Sequence, residues 1–213
     1  MSRSTEQTAR AALDRYGTTY ADEAGIRLAD TPAPLFQLLV LAELLSARID
    51  AGIAVAAAVE LREAGFTTAE RMREASRQDR VDALGRGHYR RYDERTATQL
   101  GAMADLVLDR YGGDLRRLAG EADGDVDRAA RLLQEVEGIG PTGAAVFLRE
   151  VQAVWPWVRP YLDDRARDGA RRVGLPADVG ELAGLVAGDD LARFAAGLVR
   201  IRLLGEDEDP LGS

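Results

Sequence analysis

The sequence predicts an all-α protein. Through most of the 213 residues, apolar side chains recur at spacings of three and four, the signature of one buried helix face. No segment alternates apolar and polar residues at the period of two that a half-buried strand requires. Capping residues and glycines punctuate the chain at helix-length intervals, which marks starts and stops.

The elements follow in order. Ser4 with Gln7 makes a capping box for a helix over Thr5 to Tyr16, stopped by Gly17. A turn-rich stretch, Thr18 to Pro34, leads into Leu35 to Ser46. That segment is apolar nearly all round, so it reads as a buried central helix, interrupted only by Gln37 and Glu43. Asp50 caps a helix over Ile53 to Ala64, ended by Gly65. Thr67 with Glu70 opens a short helix to Ala75, and Ser76 with Asp79 opens another, ending near Gly85 and Gly87. A long helix covers Tyr89 to Tyr111, stopped by Gly112 and Gly113. Short helices follow at Leu115 to Ala119 and Val126 to Glu135. After a tight turn over Val136 to Pro141 comes a helix from Thr142 to Ala153. An irregular connection, Trp155 to Leu162, precedes a helix over Asp163 to Val173. Helices over Asp178 to Ala187 and Asp190 to Leu204 complete the chain before an acidic end.

Absent residue types remove much chemistry. The chain has no cysteine and one histidine, His88, and all 28 of its basic residues are arginine. Disulfides, thiolate zinc sites, iron–sulfur clusters and thiol nucleophiles are excluded. So are a side-chain Schiff base and a P-loop, both of which need lysine. We expect no metal and no cofactor. The polar first ten residues hold no apolar leader, and no stretch reaches the length of a membrane span. A cytoplasmic protein is therefore expected. The net charge of -8 argues against nucleic acid as a partner, because such domains are usually basic.

One motif opposes that. Leu133 to Val151 reads as helix, then Gly138-Ile139-Gly140, then Pro141-Thr142-Gly143-Ala144 opening a second helix. The glycines permit a sharp hairpin. The second helix then presents unpaired N–H groups and the positive end of its dipole. A phosphate diester fits there without any basic side chain. The competing reading is an ordinary αα-hairpin with glycine caps.

In this context the span Pro32 to Pro176 resembles the helix-hairpin-helix DNA glycosylase superfamily, nearest its endonuclease III branch. Pro34-Leu35-Phe36-Gln37-Leu38-Leu39 through Leu44-Leu45-Ser46-Ala47 is similar to that family's first barrel helix. Tyr92-Asp93-Glu94-Arg95-Thr96-Ala97 resembles its Tyr-x-x-Lys-Ala helix start. Glu137 to Ala144 is similar to its Pro-Gly-Val-Gly-x-Lys-Thr-Ala hairpin, and Trp155-Pro156 follows as in the family. The resemblance implies a two-lobed fold with an inter-lobe cleft. Residues 31–151 are expected to form a six-helix barrel lobe, residues 1–30 with 152–204 a discontinuous helical lobe, and residues 205–213 a disordered acidic tail.

The departures bear on chemistry. The family's catalytic lysine slot holds Thr142, and its cysteine cluster has no counterpart. What the resemblance leaves is monofunctional base excision, in which one carboxylate stabilises an oxocarbenium-like transition state and orients water. Asp163 and Asp164 both begin the helix that carries it, whereas rigid counting from Trp155-Pro156 puts Tyr161 in that slot. Asp163 shares a helical face with Ala166 and Ala170 and is the favoured inward carboxylate, with a plain N-cap as the alternative. Asp164 lies with Arg167, Asp168 and Arg171 on a charged face. Gly138, Ile139, Gly140, Thr142 and Gly143 are the candidate phosphate grip. Arg48 stands where the family inserts a residue into the vacated base stack, or is simply a surface arginine. His88, Tyr92 and Tyr161 are candidate base-pocket residues. Tyr89, Arg90 and Arg91 are candidates for phosphate contact, and Trp155 and Trp157 for packing. Between Arg71 and Arg95 eight arginines face five acids, a local basic excess. The implied function is a monofunctional DNA glycosylase of base excision repair, a monomeric hydrolase acting on double-stranded DNA. The alternatives are a catalytically silent DNA-binding member and a helical protein-interaction module.

Overall fold

The computed structural model describes residues 4–205 and 207–212, and among them every regular element is helical. The helices are α1 (Thr5–Tyr16), α2 (Tyr20–Glu23), α3 (Pro32–Ser46), α4 (Ala51–Glu63), α5 (Ala69–Glu74), α6 (Arg77–Arg86) and α7 (Asp93–Tyr111). They continue with α8 (Arg116–Ala122), α9 (Val126–Gln134), α10 (Pro141–Val151), α11 (Asp164–Arg172), α12 (Val179–Ala183) and α13 (Leu191–Leu203). Short 3₁₀ turns occupy Pro156–Val158 and Gly188–Asp190.

Two compact units are present. One takes the described residues within Met1–Tyr20 and Leu148–Ser213, and the other takes Ala21–Phe147. The boundary falls inside α10.

In the Ala21–Phe147 unit, α3 packs on α4, α4 on α6, and α5 and α6 on α7. Leu35, Leu38, Leu39, Leu41 and Leu44 of α3 are fully buried, each worth about 1.5–3 kcal/mol relative to exposure. Arg80 ties this unit together from inside. Its buried guanidinium donates to the carbonyls of Met72 and Ala75, both at 2.8 Å, and of Ala97, at 2.8 Å. It thereby joins the end of α5 to α7. In the other unit, α11 and α1 pack on α13. A Cβ on Gly169 would lie 1.8 Å from the Leu198 carbonyl oxygen, so only glycine allows α11 that close to α13.

Local caps form as their residues dictate. The capping boxes Ser4–Gln7 and Ser76–Asp79 are both closed, and Asp50 accepts from the Gly52 amide. Several boundaries differ from the sequence expectation: a short helix, α2, forms inside the stretch read as turn-rich, α3 already begins at Pro32, and α8 runs on to Ala122. The cap of α5 is Thr68, whose hydroxyl accepts from the Arg71 amide. The long helix begins at Asp93 and not Tyr89, because His88 takes a left-handed conformation at φ 63° and ends the preceding turn. The helix expected over Asp178 to Ala187 stops at Ala183. The acidic C-terminal segment, expected to be a disordered tail, has described contacts within its unit. Tyr16 donates to the Pro210 carbonyl at 2.7 Å, Arg172 donates to the Glu208 carbonyl at 3.3 Å, and Leu211 packs on the core.

Candidate nucleic-acid site

The hairpin is built by local chemistry. Gly138 sits at φ 87°, a conformation that L side chains rarely adopt. Ile139 turns inward and is buried, anchoring the turn. Gly143 packs closely: a Cβ there would meet the Ile139 side chain at 3.4 Å and the Ala42 carbonyl of α3 at 3.6 Å. Pro141 opens α10, a position where its missing N–H costs nothing. The Ala144 amide donates to Gly140 at 3.0 Å, whereas those of Thr142 and Gly143 meet no backbone carbonyl among the described residues. These are the free donors a helix start presents to an anion.

Beside this hairpin, in the same unit, lies a cavity of about 290 Å³. Arg48 and Tyr92, both expected at the site, line it together with Gly138. Arg48 is exposed just beyond the end of α3, and Tyr92 is half-buried with Arg91 over its ring at 5.2 Å. The remaining wall includes Glu43, Tyr89, Arg95 and Gln99. His88 is exposed and is not part of that wall. Tyr89 is buried under the cavity and not available to phosphate at the surface; its oxygen accepts from the Thr96 hydroxyl at 3.3 Å.

Glu43 is the residue that sequence reasoning missed. It is 4 % exposed, and neither carboxyl oxygen has a hydrogen-bond partner among the described residues. Burial pushes its pKa well above the usual carboxylate range. The negative charge of Glu137 adds to this, and Arg95 opposes it. Tyr89 is also raised, by burial first. The carboxyl lies against the hairpin: a Cβ on Gly138 would fall 2.6 Å from Glu43 Oε1 and 2.7 Å from its Cδ. A lone acid inside an otherwise apolar helix was the signal available for finding it.

The other candidates belong to the second unit. Asp163 is the N-cap of α11, its Oδ1 accepting from the Ala166 amide at 3.0 Å. Its Oδ2 accepts from Arg149 at 2.6 Å, and the side chains of the pair are 10 % and 2 % exposed. Asp164 is 93 % exposed and pairs with Arg167 at 3.1 Å. Tyr161 is half-buried, its backbone clamped by the Gln152 amide through bonds of 2.8 and 3.0 Å. Trp155 and Trp157 stack on each other at 5.5 Å, and Trp155 is buried.

The local basic run is partly committed to internal work. Arg77 pairs with Glu94, Arg86 pairs with Glu60 at 2.7 Å, and Arg80 is buried. Arg71, Arg73, Arg90, Arg91 and Arg95 are exposed.

The sequence matches no family model and no curated protein. Its fold does match a solved structure, that of a trapped endonuclease III–DNA covalent intermediate in an estranged-adenine complex. The TM-score is 0.50 at 16% sequence identity, covering 92% of this chain and 85% of that one. The chain thus has the all-helical fold of endonuclease III, a helix-hairpin-helix glycosylase fold. No described helix is long and apolar enough to cross a membrane.

Proposed function

We propose that this protein binds double-stranded DNA and acts as a monofunctional DNA glycosylase, hydrolysing the N-glycosidic bond of a damaged or modified base. One observation carries the reading. A glycine hairpin with free α10 amides and an open cavity lie side by side in one unit, on a chain folded like an enzyme captured on DNA. The hairpin would hold a phosphate through its backbone, with Gly138, Ile139, Gly140, Thr142 and Gly143 setting its shape. The cavity would receive the flipped base, and Arg48 would enter the vacated stack. Asp163 is the carboxylate proposed to stabilise the sugar cation and orient water. With no lysine in the chain, strand cleavage through a side-chain Schiff base is outside its chemistry.

A second reading has its own support. Both oxygens of Asp163 are engaged, by the Ala166 amide and by Arg149, as a purely structural cap would be. That favours a DNA-binding member without hydrolytic activity. Incubation with duplexes carrying a panel of base lesions separates the two. The glycosylase leaves an alkali-labile abasic site, and Asp163→Asn abolishes that product while duplex binding persists. Duplex binding with no product from any lesion supports the silent member. Absence of salt-dependent duplex binding defeats both.

A further inference from the structure

The Ala21–Phe147 unit carries a second open cavity, of about 680 Å³, at the N-terminal end of α3. The hairpin meets the other end of that helix, at Ala42 and Glu43. The volume lies within the range of small-molecule sites.

Two helix stops of one kind shape the cavity. After α2, the Gly25 amide donates to the Asp22 carbonyl at 3.0 Å and the Ile26 amide to Ala21 at 2.9 Å. After α4, the Gly65 amide donates to the Arg62 carbonyl at 2.9 Å and the Phe66 amide to Leu61 at 3.0 Å. Both glycines are left-handed, at φ 67° and 89°. These are the paired bonds of a Schellman stop, which fix the backbone that leaves a helix.

Each stop brings an arginine to the cavity wall. Arg27 follows the first, is exposed, and has no ion pair or hydrogen bond among the described residues. Arg62 lies in the last turn of α4. Its ion-pair partner Glu63 stands at 4.0 Å, too far for a hydrogen bond, and its Nε is buried without a partner. The Arg62 guanidinium rests against Gly25, where a Cβ would lie 3.3 Å from Nη2 and 3.5 Å from Cζ. Asp22 is the one acid on this wall, against the two arginines. The positive end of the 15-residue α3 adds to the same sign. Thr67 also lines the cavity and is spared from capping, since Thr68 caps α5. An arginine in a last helical turn can simply serve the helix dipole. That accounts for Arg62 but not for Arg27, which lies on no helix.

We propose that this cavity binds a terminal phosphate, a phosphomonoester dianion, through the guanidinium groups of Arg27 and Arg62. Guanidinium forks match phosphate oxygens in pairs. A monoester offers three free oxygens and nearly two charges at neutral pH, whereas the diester inside a nucleic-acid strand offers two oxygens and one charge. The excess of arginine over acid here favours the dianion. Such a group comes either on a small phosphorylated molecule or at the 5′ end of a DNA strand. The site is separate from the hairpin and does not depend on base excision.

The test titrates the full-length, nitrogen-15-labelled protein with methyl phosphate and, separately, dimethyl phosphate. Ionic strength is held fixed at neutral pH, and the arginine Nε–H signals are read by NMR. Methyl phosphate should shift the Arg62 signal saturably, and dimethyl phosphate should bind at least about fivefold more weakly. Arg27→Gln and Arg62→Gln should each weaken methyl phosphate by about tenfold, the loss of one charge-assisted hydrogen bond. Arg128→Gln, which removes an exposed charge elsewhere in the unit, should leave binding unchanged. The proposal is overturned if methyl phosphate gives no saturable shift, if the diester binds equally, if either cavity variant binds as wild type does, or if Arg128→Gln loses as much as they do. The two phosphates on wild type decide the matter should a variant not fold. Duplexes with and without a 5′-phosphate then separate the sources. A preference for the phosphorylated end that Arg62→Gln abolishes assigns the site to strand ends. Equal duplex binding with methyl phosphate still bound assigns it to a small molecule, and in both cases the phosphate site stands.

Discussion

Replacing Glu43 by leucine should make the protein more stable, not less. The two carboxyl oxygens are buried with no partner, and a buried unsatisfied polar group costs about 1–3 kcal/mol. Both oxygens belong to one group, so the penalty is counted once. Leucine fills similar space on a helix whose neighbouring leucines are already fully buried, so no cavity term offsets the gain. The expected stabilisation is about 1–3 kcal/mol. For a chain of this length each kcal/mol moves Tm by about 2–4 °C, giving a rise of roughly 2–12 °C. The gain also depends on pH. The folded-state pKa of Glu43 is raised. The stability linked to its protonation is therefore fully present below the ordinary carboxylate value and is lost as pH rises through the folded value. Wild type loses stability relative to Glu43→Leu as pH rises above the ordinary carboxylate value, so the gap between them widens with rising pH. Thermal melts of both proteins, followed by circular dichroism at several pH values, measure it. A leucine variant less stable than wild type at neutral pH, or a gap that narrows with rising pH, would refute the argument by showing that Glu43 has a stabilising partner.

Other perturbations follow from the same contacts. Gly138→Ala should destabilise by at least about 1–2 kcal/mol, the left-handed backbone penalty alone, with more from the collision with Glu43. In a Glu43→Ala background the collision part should vanish, and a double-mutant cycle by chemical denaturation reads that coupling. Arg149→Met should cost about 3–5 kcal/mol, because it strands the buried Asp163 carboxylate; adding Asp163→Asn should recover most of the loss in urea titrations. Arg80→Met should cost several kcal/mol by leaving two buried carbonyls and one partly buried one at the α5 and α7 contact unpaired, seen as a lowered denaturation midpoint. Gly169→Ala should be among the most damaging single-methyl additions, since α11 must move away from α13 to admit it, and thermal melting registers it directly.

What the sequence made legible was what is local. Caps such as Ser4, Asp50 and Ser76 act on amides two or three residues away, so their chemistry is contained in a short window. The glycine hairpin is legible for the same reason. The start of α7 was not, because Tyr92 provides no side-chain cap there, and the break at His88 is a left-handed turn on a non-glycine residue, which is uncommon even for histidine. Asp163 shows the limit of reading faces. Its i+3 and i+7 neighbours Ala166 and Ala170 are fully buried, as a shared inward face requires. Yet its ion-pair partner, Arg149, sits on a different helix, and no spacing rule selects it.

Glu43 and the net charge pose one question from opposite sides: how an acidic protein would hold an anionic polymer. Part of the arginine-rich stretch from Arg71 to Arg95 is spent internally, with Arg80 serving carbonyls and Arg77 and Arg86 serving carboxylates. Phosphate contact of the kind proposed would therefore lean on backbone amides of the α10 start, which release few counterions when they bind. A carboxylate ionised beside those amides would compete with phosphate for the same positive potential. Glu43 lies against Gly138, at the entry to that turn, and burial raises its pKa well above the usual carboxylate range, which favours the neutral form. The desolvation that disfavours the charged form of Glu43 would then also lessen its repulsion of a phosphate held at that turn.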